Sequence, residues 1–315
     1  KNLEIKPILF KEKMKKENWN ESDIPDQTRK VFIVTGASSG LGKETVIELA
    51  RKNATVVIAA RDLNASESVK SEILNINKDA NVDVQELDLA SLHSIQKFSK
   101  VVNKKYKKID VLINNAGVMA CPHSKTEDGF EIQIGTNHLG HFALTGLLLS
   151  TLKNTKNSRI VNISSIAHKS GNIDFNDLNW EKRKYKTWGA YGDSKLANLY
   201  FTYELSRKLG QNNGNPKVLA AHPGYSDTSL QRYSGFFKVL NKIIAQKSSI
   251  GALAGIRAAI DPVAQSDDYY GSPSLGEMRG HPVLLKSNEL SYNKENAEKL
   301  WKLSEELTGV KFNID

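Results

Sequence analysis

The sequence predicts a doubly wound α/β fold, a parallel sheet with helices on both faces, on two observations. Apolar runs of four to six residues alternate along the chain with segments whose apolar residues recur at helical spacing. Runs such as Val31 to Val34 and Val56 to Ala60 are also apolar without a break, as strands covered on both faces are. The first unit sets the pattern. Val31-Phe32-Ile33-Val34-Thr35 reads as a buried strand and Gly36 to Gly42 as a tight turn. Leu41, Thr45 and Leu49, with Val46 and Ala50 one step round, then read as a helix. In order, strands are expected at 31–35, 55–60, 82–87, 109–114, 159–163, 217–221 and 267–270, about seven in all. Helices are expected at 41–52, 65–76, 91–105, roughly 128–152, 188–209 and 250–260.

Length and composition set the outer bounds. With 315 residues, 39% of them hydrophobic, one large core is the default, and residues 31–315 read as a single domain. Residues 1–30 are rich in Lys, Glu and Asn and read as an arm docking near Trp19. Residues 1–13, ahead of Met14, read as an extension outside the fold. One cysteine, Cys121, excludes an internal disulfide and suits a reducing, cytoplasmic compartment. No apolar run approaches the roughly 20 residues that span a bilayer, so no transmembrane segment is expected. The net charge of +9 is spread out. Its densest run, Lys97 to Lys108, interleaves with Ile95, Phe98 and Val102 as the solvated face of an amphipathic helix. No nucleic-acid motif appears, and neither a nucleic-acid partner nor a metal site is expected.

Chemistry concentrates at the ends of the strands. The loop Gly36-Ala37-Ser38-Ser39-Gly40-Leu41-Gly42 would leave backbone N–H groups at the positive end of a helix, where a phosphate can sit. Gly36 permits the turn, Gly40 lets a ligand approach and Gly42 lets helix and strand pack closely. The second strand ends Ala60-Arg61-Asp62. An acid there would hold a ribose 2′-hydroxyl and an arginine a 2′-phosphate, so Arg61 favours NADP(H) over NAD(H), with Asp62 one register away as the competing reading. Asp88-Leu89 follows the third strand, as a helix cap or an adenine contact. Asn114-Asn115-Ala116-Gly117 ends the fourth, small enough for the backbone to approach a ligand.

Tyr191 and Lys195 stand four apart on one helical face. Free tyrosine, with a pKa of about 10, is a poor acid or base at neutral pH, and a neighbouring ammonium would lower that value. Tyr191 would then exchange a proton with a carbonyl or alcohol oxygen while a nicotinamide carries hydride. Ser164-Ser165 ends the fifth strand, where a hydroxyl can orient that oxygen. Asn137 falls inside a helical pattern, unfavourable unless its amide has a task, such as holding a water near Lys195.

Taken together, Thr35-Gly36-x-x-x-Gly40-x-Gly42, Asn114-Asn115-Ala116-Gly117, Ser165 and Tyr191-x-x-x-Lys195 resemble the short-chain dehydrogenase/reductase family. The resemblance runs from about Trp19 to the C-terminus. It is strongest to the retinol-dehydrogenase-like branch and related bacterial oxidoreductases, through Thr136-Asn137-His138-Leu139-Gly140-His141-Phe142, Ser164-Ser165-x-Ala167-His168 and Ala221-His222-Pro223-Gly224. It implies a Rossmann-like fold, Tyr191 as general acid/base and Lys195 lowering its pKa while bonding the nicotinamide ribose. It further implies Ser165 on the substrate oxygen, Asn137 in the proton relay, and Pro223, Gly224 and Thr228 along the nicotinamide. A homodimer or homotetramer through the Asn137 and Tyr191 helices would be in keeping. Two departures stand out. The N-terminal apolar anchor of membrane-bound retinol dehydrogenases is not among these residues, which leaves a retinoid substrate open. Ser226-Asp227 puts an acid in a loop that often carries a base.

Residues 166–190, with Trp180, Tyr185 and Trp188, read as an insertion beside the substrate mouth. Residues 225–249, with Tyr233, Phe236, Phe237 and Leu240, read either as an apolar substrate lid or as a helix packed on the body. The expected function is NADP-dependent interconversion of a small-molecule alcohol and its aldehyde or ketone, on a hydrophobic substrate. The competing classes are a non-catalytic NAD(P)-binding regulator and an epimerase or dehydratase that keeps its nicotinamide bound.

Overall fold

The structure is a computed structural model and describes residues 18–210, 216–225 and 246–314. Its centre is an eight-stranded sheet in the order β3-β2-β1-β4-β5-β6-β7-β8. The strands are β1 (Val31–Thr35), β2 (Thr55–Ala60), β3 (Val82–Glu86), β4 (Val111–Asn114), β5 (Arg159–Ile163), β6 (Lys217–Ala221), β7 (Tyr269–Gly271) and β8 (Val283–Leu285). All neighbours pair in parallel except β7 and β8, which are antiparallel. Among the described residues seven longer helices cover the sheet: α1 (Gly40–Arg51), α2 (Leu63–Ile76), α3 (Leu92–Lys105), α4 (Gly140–Lys153), α5 (Thr187–Leu209), α6 (Ser248–Ile260) and α7 (Lys294–Thr308). None of them is long and apolar enough to cross a membrane.

Because side chains alternate along a strand, β1 serves two cores. Phe32 and Val34 pack with α1, α2 and α6 through Val46, Leu49, Ile73 and Ile256. Val31 and Ile33 pack on the other face with Ile95 and Phe98 of α3, Phe142 of α4 and Phe201 of α5. A strand buried on both faces has to be apolar at every position, which is why the run is unbroken.

Two elements exceed the expectation from sequence. β8 adds an eighth strand, and its three residues are too few for any periodicity to show. α7 was not anticipated, although Ala297, Leu300, Trp301, Ser304 and Thr308 line its buried face, Asn293 caps it and Gly309 ends it at φ +66°. The helix expected over 128–152 is also interrupted. A short turn, Ile132–Ile134, runs into a π turn, Gly135–Leu139, before α4 begins. Trp19 is buried, with the Arg257 guanidinium 5.8 Å from its ring centre and its carbonyl 3.0 Å from His281 Nδ1.

Candidate active site

β1 lies between β2 and β4, so the chain leaves it in opposite directions and a crevice opens above the carboxyl ends of β1 and β4. The resulting cleft has a volume of about 380 Å³. Its walls are the glycine loop, the end of β2 with Arg61 and Asp62, Leu87 to Leu89, and Asn115 to Met119. Gly36, Ser38, Ser39, Gly40, Leu41 and Gly42 all line it, as do Arg61, Asp88, Leu89, Asn115, Ala116 and Gly117. Pro223 borders a small adjoining space shared with Leu41 and Asn115, and Gly224 follows it at φ +66°. Thr228 and most of the 225–249 segment lie outside the described residues. Val118, Met119, Cys121 and Thr136 also line the cleft and were not anticipated. Val118 and Met119 simply continue the loop off β4, whereas Cys121 carried no signal.

The cradle is built from close backbone approach. Gly36 and Gly40 sit at φ +66° and +55°, and the Gly36 N–H donates to the Ala59 carbonyl at 2.8 Å. A Cβ on Gly42 would stand 2.6 Å from the Gly36 carbonyl oxygen and 2.9 Å from Ala37 Cα. Only glycine lets α1 start this close to the strand. First-turn N–H groups of a helix have no partner within it, so the opening of α1 presents donors and the positive dipole end to the cleft.

Beneath the cradle, Thr35 Oγ1 accepts from the N–H groups of Asn115 and Ala116, each at 2.9 Å, and Asn115 Nδ2 donates to the Thr35 carbonyl at 2.8 Å. With two donors on that oxygen, its own proton goes to His141 Nε2 at 2.9 Å. The His141 Nδ1–H donates in turn to the Asn137 carbonyl at 2.9 Å, because a carbonyl only accepts. Burial pushes the His141 pKa down to about 4, in keeping with this neutral tautomer.

At the far rim, the Arg61 side chain is 76% exposed, with Nη1 3.7 Å from Asp88 Oδ2. Asp62 is engaged elsewhere: it caps α2, its Oδ1 accepting from the Ala65 N–H at 2.9 Å. Asp88 does not cap α3, a task that falls to Ser91. Its Oδ1 accepts from the nearby Ala90 N–H at 2.9 Å.

Ser165, Tyr191 and Lys195 are not among the residues lining the cleft, but a Cβ on Gly117, which is, would stand 3.6 Å from Lys195 Nζ. The two serines after β5 take different directions. Ser164 Oγ donates to the Lys195 carbonyl at 2.8 Å and is buried, whereas Ser165 Oγ accepts from the Ala167 N–H at 3.2 Å and its hydroxyl acts on the Tyr191 phenol. Lys195 Nζ donates to the Ile163 carbonyl at 3.1 Å and lies 5.7 Å from the Tyr191 ring centre. Burial raises the Tyr191 pKa to about 12, with the Ser165 hydrogen bond acting the other way, and burial lowers Lys195 to about 8. The lowering of Tyr191 expected from its lysine neighbour is therefore not what this geometry produces. The ammonium points to the Ile163 carbonyl, and loss of water around the phenol sets the direction of the shift.

Asn137 occupies the π turn before α4. Its Oδ1 accepts from the Val118 N–H at 2.8 Å, while Nδ2 donates to the Val118 carbonyl and to Ser194 Oγ, each at 2.9 Å. Both amide protons are used within the protein. The side chain joins the loop after β4 to α5.

A family model described as short chain dehydrogenase matches residues 30–235. The chain belongs to the short-chain dehydrogenase family. It is 52% identical over 216 residues to retinol dehydrogenase 13 of Homo sapiens, an alignment covering 69% of this chain and 64% of that protein. With retinol dehydrogenase 12 of Mus musculus it shares 43% identity over 286 residues, covering 90% and 87%. A crystal structure of a protein from Mycobacterium paratuberculosis matches with a TM-score of 0.79 at 40% identity, covering 93% of this chain and 98% of that one. Short-chain dehydrogenases act on a CH–OH group with NAD(P), and open α/β sheets bind ligands in the crevice at the carboxyl ends of their strands.

Proposed function

We propose that this chain is an NADP-dependent oxidoreductase interconverting a hydrophobic alcohol, of the retinoid kind, and its aldehyde. The observation that carries the reading is the grouping of Ser165, the buried Tyr191 phenol and Lys195, one turn along α5, beside the cleft, with Lys195 Nζ 5.7 Å from the Tyr191 ring centre. Arg61 supports NADP, since its guanidinium is exposed at the rim while the neighbouring Asp62 carboxylate is committed to α2. The names of the relatives, retinol dehydrogenases at 52% and 43% identity, support a retinoid.

The residues divide the work. The opening of α1 and the 36–42 loop would hold the pyrophosphate, Arg61 the 2′-phosphate, and Asn115 to Gly117 the ring that follows. A bound nicotinamide supplies or accepts hydride at the substrate carbon. Ser165 holds the substrate oxygen beside Tyr191. In reduction the phenol, neutral because burial keeps its pKa near 12, gives its proton to that oxygen. Lys195 holds the nicotinamide ribose and supplies positive charge near the phenolate left behind.

NADPH-linked reduction of all-trans-retinal, followed at 340 nm, tests the reading. Tyr191→Phe should lose about 100- to 10,000-fold in kcat while NADPH binding persists. Wild-type turnover in that variant would sink the mechanism.

A further inference from the structure

Behind the proposed site two buried histidines bracket Tyr269 of β7. The His168 ring meets it edge-on at 5.7 Å and the His222 ring lies against it at 5.4 Å. All three side chains are at most 1% exposed. Each histidine holds a main-chain group from one wall of the site. His168 Nδ1 is 2.6 Å from the Ser165 carbonyl oxygen, which only accepts, so Nδ1 carries the proton. Nε2 then accepts from the Asn288 N–H at 3.2 Å.

His222 Nδ1 accepts from the Gly224 N–H at 3.2 Å, which places its proton on Nε2, 3.4 Å from Glu277 Oε2. The other Glu277 oxygen accepts from Lys169 Nζ at 2.7 Å, and Lys169 follows His168 in the chain. A Cβ on Gly271 would stand 2.1 Å from His222 Nε2, so that ring is confined to its place.

We propose that His168 is a positioning residue that aims the Ser165 hydroxyl at Tyr191 by anchoring the Ser165 carbonyl. Through Tyr269 and His222, the same brace keeps Ser165 and the Pro223–Gly224 turn at one spacing. Ser165 sits in extended backbone, φ −154° and ψ 157°, at the start of the turn Ile166–Ser170. Its Oγ accepts from the Ala167 N–H at 3.2 Å, a bond kept only while the Ser165 peptide holds its angle, and the imidazole bond opposes rotation of that peptide. Burial lowers the His168 pKa to about 4, so through the neutral range Nε2 stays an acceptor for the Asn288 N–H while Nδ1 keeps its proton for Ser165. A histidine serving only as filling would need neither ring nitrogen matched to a main-chain partner.

The inference rests on the role proposed for Ser165, and two substitutions separate the two ring bonds. In His168→Asn the amide nitrogen replaces Nδ1 and keeps the donor to Ser165. In His168→Gln the longer side chain keeps an acceptor for the Asn288 N–H and loses the Ser165 bond. With NADPH and all-trans-retinal, His168→Gln should lower kcat by up to about 100-fold, the cost of a displacement of about 1 Å, with the NADPH dissociation constant unchanged. His168→Asn should stay near wild type. Equal losses, the reverse order, or no loss in His168→Gln would overturn the proposal. If His168→Gln does not fold, His168→Asn decides alone, since a loss as large as that of Ser165→Ala contradicts it.

Absence of turnover in the wild-type enzyme would count against the proposed function and not against His168. Crystal structures of both variants with NADP+ then decide the matter. Ser165 Oγ should leave the reach of Tyr191 in His168→Gln and remain there in His168→Asn; an unmoved Ser165 in His168→Gln overturns the inference.

Discussion

Arg61 and Asp62 are adjacent at the rim of the cleft, and their surroundings give them different work. The carboxylate of Asp62 accepts from the Ala65 N–H and closes the first turn of α2, while Arg61 extends its charge into solvent. Charge-assisted hydrogen bonds contribute about 1.5–3 kcal/mol each, so Arg61→Ala should weaken NADPH by about 10- to 100-fold. NADH, which lacks the 2′-phosphate, should bind as before. Titration of both cofactors against both proteins checks this, and a parallel loss for NADH would remove Arg61 from the phosphate site. The arginine was legible in the sequence. The task of Asp62 was not, since it depends on α2 beginning at Leu63 rather than at 65. Tyr191 shows the same boundary: its spacing from Lys195 could be counted, but its pKa is decided by how completely α5 is covered.

Among the elements, the glycine loop and α1 were the most readable, because a strand, a turn and a helix leave local patterns. Gly42 marks where that unit has no tolerance. The Cβ of Gly42→Ala would meet the Gly36 carbonyl oxygen and Ala37 Cα, both backbone, so α1 itself would have to move. Overpacking of this sort costs about 1–3 kcal/mol. The urea midpoint should fall and NADPH binding should weaken together; an unchanged midpoint would show that the contact relaxes freely. The π turn at Asn137 was not readable. One extra residue in a helical turn changes no composition, and the pattern over 128–152 reads as continuous helix either way. α7 carried ordinary helix signals in Asn293, Leu300, Trp301 and Gly309, and was legible in principle. β8, three residues long, had no signal to find.

At the scale of the whole molecule, three buried neutral histidines make the fold sensitive to acid. His138 bonds Ser304 Oγ at 2.8 Å, and burial lowers its pKa to about 3; His141 and His168 are lowered to about 4. In the unfolded chain each would protonate near 6.5. Between those values the unfolded state binds more protons, so stability present at pH 7 is lost as pH falls through about 6.5 towards 4. The slope reaches up to about 1.4 kcal/mol per pH unit for each ring. Thermal midpoints at constant ionic strength should drop by several degrees from pH 7 to pH 5, and a flat profile would mean that these rings are charged or solvated in the fold. The sequence by itself determined the order of strands and helices through the first six helices, the phosphate cradle and the residue types at the strand ends. Those properties are written in local periodicity and glycine placement. Only the tertiary structure decided that both Asn137 amide protons are used inside the protein, and that His141 and His168 hold main-chain carbonyls beside the site. Burial sets which groups keep their protons, and the side-chain partners of Asn137 come from the loop after β4 and from α5, so no local pattern along the chain could carry either.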